Sequence, residues 1–488
     1  MELKKIIMGC RTFRYKFAIH ICGFLSLLVL SSCAAQYPLN TKIEITEGSG
    51  APYDEPAQND HSDLVLILAF SGGGTRAASL AYGTLEALKQ VELPEQTVSS
   101  PLGEKPRTML NQISAITAVS GGSFTAAYYG IHGEGIFKDF KERCLLKDIQ
   151  GDLLRKLFNP FNWPRLSSPR FGRSDLAQEY YDEILFKGAT LADMIGKDRP
   201  SIVILATDAI EGVGFPFIPD TFKWICSDFS RFPVARAVTA SSAVPGAFSP
   251  VVLKNYVESC KTEAPAWMQN ALENPDPSSR TYHMAVRVSS YLDQRKKPFI
   301  YLVDGGISDN LGLRTIIDTV TLRGGLRDSL AKAERKGTRR IAFIIVDAET
   351  EEKASWGFLG EVPGIGAILG ASSTIMINKY NFETLDLLHR SIRAWQIEEA
   401  ESTSPLDFYL IHLNFNFLPE KAERDYFHGI PTTLTLPEDQ VDRLRSVAAK
   451  LLYTSPDFQR LVHDMGGKIL TPRKQSSGKV DSHYGLNE

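Results

Sequence analysis

Cysteine is scarce in this chain, six among 488 residues. Cys10 and Cys22 lie in an N-terminal leader and Cys33 at its end, which leaves Cys144, Cys226 and Cys260. These three form no Cys-x-x-Cys pair and have no histidine nearby at ligand spacing. A structural zinc site and a disulfide-built scaffold are therefore not expected, and at most one disulfide can form. Positive charge is not in excess either. The formal charge is −3, and removing residues 1–32 takes away five positive charges and one negative, leaving −7. A mildly acidic body gives no electrostatic basis for nucleic-acid binding. Long apolar runs are missing as well: the stretch 24–30 is too short to span a bilayer. No internal repeat is visible.

What the N-terminus does have is order. Lys4, Lys5, Arg11, Arg14 and Lys16 precede the apolar stretch, and Leu30-Ser31-Ser32-Cys33 follows it. Charged region, short apolar region and small residues are the parts of a secretory signal. The cysteine directly after them resembles a bacterial lipobox, which implies a signal over 1–32 and a lipidated Cys33. Ala34 rather than Asp after that cysteine implies a lipid-anchored envelope protein sorted to the outer membrane. Residues 33–62, rich in Pro, Gly, Asn and Asp, read as a flexible tether.

The body opens on a continuous apolar run, 63–70, and similar runs recur at 113–119, 201–206, 298–303, 340–346 and 408–413. Unbroken apolar runs of this length are what strands buried on both faces require. Helical spacing occupies 78–89, 124–130, 176–186 and 440–452 between them. The expectation is an α/β fold with a largely parallel or mixed central sheet flanked by helices. Residues 63–320 are expected to form a catalytic domain, with 321–471 completing the fold or adding a subdomain. Residues 472–488 read as a disordered tail. Within the domain, 145–175 is apolar but broken by Pro160, Pro164 and Pro169. It reads either as a membrane-facing flap or as an insertion packed on the core. The polar stretch 260–297 reads as a loop-like insertion.

Three short motifs carry chemistry. The first, Ser71-Gly72-Gly73-Gly74-Thr75-Arg76-Ala77, follows the first strand and opens a helix. Successive glycines let backbone N–H groups converge where the helix dipole favours negative charge. No Gly-Lys-Ser/Thr follows, so a P-loop is excluded. Gly72, Gly74 and Ala77 fit the dinucleotide fingerprint formally. The acid it needs would be Glu92 or Glu95, which lie in a proline-broken stretch instead of on a second buried strand. Arg76 adds a cation suited to an oxyanion or a lipid phosphate.

The second motif is Ala118-Val119-Ser120-Gly121-Gly122-Ser123, a serine among small residues after an apolar run, as a nucleophile elbow requires. Ser123 is the rival nucleophile but falls within the first helical turn, where it caps or packs. The third is Asp304-Gly305-Gly306 at the end of the run 299–303. Asp304 is either a turn residue or a base, and a base would need an apolar setting to lift its pKa. Together the motifs supply oxyanion donors, a nucleophile and a base. A Ser–His–Asp enzyme is the alternative, with His389, His412, His428, His463 and His483 available and His412 inside an apolar run. A silent acyl-binding envelope lipoprotein is another.

On these residues the chain resembles the patatin-like phospholipases and the related cytosolic phospholipases, in which a Ser–Asp dyad replaces the triad. Ser71 ahead of the glycines and Ala77 after Arg76 are closer to the cytosolic branch, whereas Asp304-Gly305-Gly306 has the patatin form. Ala206-Thr207-Asp208 and the segment from Ala240 to Pro250 add to the likeness, which covers about 63–315. Ala118 departs from the usual first glycine of the elbow. The resemblance implies a three-layer α/β fold, Ser120 as nucleophile, Asp304 as base and an oxyanion hole from Gly72, Gly73, Gly74 and Arg76. It implies a phospholipid or other acyl-ester substrate, with water or another acceptor taking the acyl group. This chemistry requires no metal or organic cofactor.

Overall fold

The computed structural model describes residues 39–44, 63–94, 107–196, 199–260, 262–350, 362, 364–400 and 402–470, with the backbone alone over 365–373. The expected signal over 1–32, Cys33 and the expected tail over 472–488 lie outside the described residues.

Alternation within the apolar runs decides the layers. In β1 (Leu64–Phe70), Leu64, Leu66, Leu68 and Phe70 face one core while Val65 and Ala69 face another. β7 (Arg340–Val346) divides the same way, Ala342, Ile344 and Val346 against Ile341, Phe343 and Ile345. A strand buried on both faces must be apolar throughout, which is why these runs show no polar alternation. Helices α1 (Gly74–Lys89), α2 (Gly121–His132) and, near the C-terminus, the helix Glu438–Thr454 cover the first face. Residues 311–330 and the helix Ile365–Glu399 cover the second. The result is a three-layer α/β fold.

The other strands of this central sheet are β2 (Ile113–Val119), β3 (Ser201–Asp208), β4 (Val213–Pro216), β5 (Val251–Lys254), β6 (Phe299–Asp304) and β8 (Asp407–Leu413). The eight-stranded sheet runs β5-β6-β3-β2-β1-β7-β8, with β4 paired to β3. β1 pairs in parallel with β2 and β7, as do β2 with β3 and β7 with β8. β4 and β6 run antiparallel to β3, and β5 antiparallel to β6. Residues beyond 320 thus extend the central sheet itself. Among the described residues no helix is long and apolar enough to cross a membrane.

Three features differ from, or go beyond, the sequence reading. Residues 39–44 are docked on the body and are no free tether. Buried Asn40 donates to Ser227 Oγ and to the Lys254 carbonyl (both 2.9 Å) and accepts from Lys254 N (2.7 Å). Ile43 N and the Thr41 carbonyl bond Cys226 O (3.0 Å) and Asp228 N (2.8 Å). The polar composition of 33–62 hides this because a single buried amide with three partners suffices to pin the chain. The insertion 260–297 contains two short helices, Ala266–Glu273 and Arg280–Val288. Each buries only one or two apolar residues, Met268 in the first and Ala285 and Val288 in the second, too few to show as periodicity. The single possible disulfide is Cys226–Cys260, and Cys144 is buried as a free thiol.

Candidate active site

Ser120 sits between β2 and α2 with φ 48° and ψ −120°, a positive φ rare for a residue with a side chain. Such strain, about 1–3 kcal/mol, persists only where surrounding contacts hold it. Here Ser120 N donates to Ser241 Oγ (2.8 Å), and that hydroxyl donates in turn to the Leu205 carbonyl (2.6 Å). Ser123 is fully buried and donates through both N (3.0 Å) and Oγ (2.6 Å) to the Ser120 carbonyl. It braces the turn, and Ser120 alone is left at the apex.

β6 runs antiparallel to β3 with Asp304 opposite Ala206, one residue past the Val119–Leu205 pair, so Asp304 lies level with Ser120. Ser120 Oγ donates to Asp304 Oδ2 at 2.7 Å, and Gly306 N donates to Oδ1 at 2.8 Å. Asp304 N donates to the Ala243 carbonyl (3.0 Å), and its own carbonyl accepts from Thr207 Oγ1 (2.8 Å). The segment 240–250 and Thr207 therefore hold the acid's backbone. Burial lifts the Asp304 pKa from the ordinary carboxylate value to about 6, against the hydrogen bonds from Ser120 and Gly306, which lower it.

The glycine loop faces this pair. Gly73 (φ 138°) and Gly74 (φ 59°) adopt backbone open chiefly to glycine, and they set their N–H groups at the start of α1. Leading N–H groups of a helix have no acceptor within it. Gly72 differs from the reading given above: its N–H donates to the Asn310 carbonyl (3.1 Å) and is spent there. Arg76 differs too. Its buried guanidinium donates to the Ala348 carbonyl (2.9 Å), the Ile430 carbonyl (2.7 Å) and Thr432 Oγ1 (2.9 Å). A β-strand end and the 430–432 loop are thereby tied to the glycine loop, so Arg76 fixes that loop's position.

Several residues of the site escaped the sequence reading. Asn310 lies four residues after Gly306, and its amide oxygen would stand 2.4 Å from a Cβ at Gly72 and 3.0 Å from one at Gly306. The Thr433 carbonyl accepts from Thr75 N (2.8 Å) beside Gly74. Neither has a local signal in the sequence. The histidines go elsewhere. His412 Nε2 lies 3.0 Å from buried Asp347 Oδ2, His389 bonds the Leu385 carbonyl, and His428 bonds Asn416. His463 is at the surface beside Asp464, and His483 is outside the described residues. Among the described residues no cluster of three His, Cys, Asp or Glu is arranged to hold a metal ion.

Comparison with known proteins adds three findings. Among solved structures, human GIVD cytosolic phospholipase A2 is similar, at 13% identity and TM-score 0.40, over 82% of this chain and 62% of that one. The same human protein in complex with methyl gamma-linolenyl fluorophosphonate gives 15% identity, TM-score 0.39 and coverage of 82% and 59%. This chain thus spans about three fifths of those human chains. VipD from Legionella pneumophila shows 14% identity, TM-score 0.25 and coverage of 84% and 70%. No curated protein sequence is significantly similar. The profile of the family described as Patatin-like phospholipase matches residues 68–317, just over half of the chain and a span that holds the glycine loop, Ser120 and Asp304. The chain belongs to the patatin-like phospholipase family.

Proposed function

We propose that this protein is a serine acyl-ester hydrolase of the phospholipase A or lysophospholipase type, acting on membrane lipids through Ser120 and Asp304. The observation that carries the reading is the 2.7 Å hydrogen bond from Ser120 Oγ to a buried carboxylate, made from a strained turn. Asp304 takes the Ser120 proton as Oγ attacks the ester carbonyl carbon. The oxyanion forms against Gly73 N–H and Gly74 N–H, each worth on the order of 100- to 1000-fold in rate. Collapse expels the alcohol, which leaves with the proton from Asp304. Water then attacks the acyl-enzyme, giving its proton to Asp304, and the acid departs as Ser120 recovers its hydrogen. The test is a fluorophosphonate probe, expected to label Ser120, together with hydrolysis of a phospholipid vesicle. A wild-type chain that is neither labelled nor active would favour a silent acyl-binding lipoprotein.

The base must be ionised to accept a proton, so activity is expected to follow the raised pKa. kcat/KM should rise with pH through about 6 and fall tenfold per unit below it. A pH–rate profile flat through this window would remove Asp304 from the base's role.

We further propose that the chain is exported and held at the bacterial envelope by an acyl group on Cys33. The Cys226–Cys260 disulfide supports export, since such bonds persist in oxidising compartments. The docked strap shortens the tether: from Cys33 to Leu39 six residues reach about 20 Å at most. Lys254, where Asn40 is bonded, pairs with Phe299 beyond the carboxyl end of β3. That is the end of the sheet where the glycine loop and Ser120 emerge, so the anchor would hold the site toward its own bilayer. Cys33→Ser should move the protein from the membrane fraction to the soluble one. Retention of the variant in membranes would overturn the anchor.

A further inference from the structure

The segment 148–173 crosses from one wall of the site to the other. At its start, Asp148 Oδ1 accepts from Thr435 Oγ1 (3.1 Å) and Gln150 N donates to that hydroxyl (3.2 Å). Thr435 is two residues from Thr433, which abuts Gly74. At its end, Arg173 Nη1 donates to the Gly246 carbonyl (3.0 Å) and Ser174 N to Ser249 Oγ (3.1 Å). Those acceptors lie on the loop leading from Ala243, the partner of Asp304 N.

Between its two ends the segment is apolar on the outside. Helix α3 (Ile149–Phe158) buries Ile149 and packs Leu153 on the core, but Leu154 is 47% and Phe158 70% exposed. In the turn that follows, Phe161 is 88% and Trp163 49% exposed. The turn is built rather than loose. Asn159 accepts from Phe161 N (3.1 Å), Asn162 Nδ2 donates to the Lys156 carbonyl (2.7 Å), and Pro160 and Pro164 restrict the backbone. Charge differs here as well. Residues 148–173 hold five Lys or Arg against two Asp, net +3, in a chain of net −3, and at the surface Arg155 pairs with Asp148 and Asp152, Lys156 with Glu183 and Arg165 with Glu179. Outward aromatics in one segment with long cationic side chains, whose surface ion pairs are weak enough to exchange for phosphates, match a bilayer interface bearing anionic headgroups.

We propose that 148–173 is a docking segment for an anionic lipid surface, with Leu154, Phe158, Phe161 and Trp163 entering the headgroup boundary and the segment's cations exchanging their surface ion pairs for phosphates. The proposal rests on the lipid-hydrolase reading and names the surface by which that site would reach substrate. It differs from acyl anchoring, which acts through Cys33.

The experiment uses the full chain carrying Ser120→Ala and Cys33→Ser, so that no lipid is consumed and no acyl group tethers it. Vesicles of phosphatidylethanolamine, with and without phosphatidylglycerol, carry brominated acyl chains that quench nearby tryptophan. Binding should quench fluorescence, and Trp163→Phe should remove most of that quenching although four other tryptophans remain. Phe158→Ser with Phe161→Ser should weaken binding at least tenfold, and omitting phosphatidylglycerol should weaken it about fivefold per engaged cation. With Ser120 restored, the double variant's loss on vesicles should exceed its loss on a soluble short-chain ester at least tenfold. Quenching unaffected by Trp163→Phe, or equal losses on both substrates, would overturn the proposal, the second result marking the segment as a structural wall or a protein-binding face. Bromine quenching at Trp163 in a chain inactive on every ester would uphold docking and sink the hydrolase reading alone.

Discussion

Ser120→Ala and Asp304→Asn are each expected to lower kcat/KM for ester cleavage on the order of 10⁴-fold, and the double variant by no more than either alone. In the proposed dyad nucleophile and base act as a unit, so losing one already removes what the other contributes. Their stabilities should diverge, which separates chemistry from folding. The Asp304 pKa is raised by burial to about 6, so the folded chain binds its proton more tightly than the unfolded chain does. Stability from this group is then present at low pH and is lost as pH rises through about 6. Asn is neutral at all pH, so Asp304→Asn should melt higher than wild type above that window and close to it in acid. It should do so while inactive. Ser120→Ala removes one hydrogen bond and should change the melting temperature little. Activity surviving in Asp304→Asn but lost in a histidine variant such as His412→Ala would instead establish a His-based mechanism.

Ser120 and Asp304, which the fold brings into a 2.7 Å hydrogen bond, could be singled out in the sequence because each sits in a local pattern. Ser120 needs an apolar run before it and glycine after it, and Asp304 needs the same. The six apolar runs became strands for a similar reason, since a strand buried on both faces has one sequence solution. The four helical stretches were found, with boundaries extended by a few residues. What could not be read lies in partners far away in the chain. Gly72 N–H ends on Asn310, Arg76 on Ala348, Ile430 and Thr432, and Gly74 beneath Thr433. Each contact joins segments more than 200 residues apart, and nothing in a glycine or an arginine announces which carbonyl it will meet. The strap at 39–44 was missed on the same grounds. Its apolar content is small, and its hold depends on Asn40 fitting between Ser227 and Lys254.

Gly121→Ala is expected to cost at least about 100-fold in kcat/KM and to lower the melting temperature, although Gly121 has no side chain and no chemical role. A Cβ there would stand 2.0 Å from the Gly74 carbonyl oxygen and 2.7 Å from both its carbon and its nitrogen. All three are backbone atoms of the glycine loop, so no rotamer can make room. Gly74 cannot retreat either, because its own Cα faces the Thr433 carbonyl, 2.3 Å from where a Cβ would sit. The serine turn and the glycine loop must then separate, and displacing donors by about 1 Å can cost 100-fold even when every reacting group is present. Overpacking typically costs about 1–3 kcal/mol, with backbone clashes at the upper end. Gly337→Ala provides the control, since a Cβ there meets nothing within 4 Å and φ is not in the left-handed region. The two substitutions add the same methyl group, so any difference between them reports the contact and not the chemistry of alanine. A Gly121→Ala enzyme with wild-type kcat/KM would show that the glycine loop is not set by its packing against the serine turn. The oxyanion donors would then have to be sought elsewhere, with the N–H groups that open α2 as the first place to look.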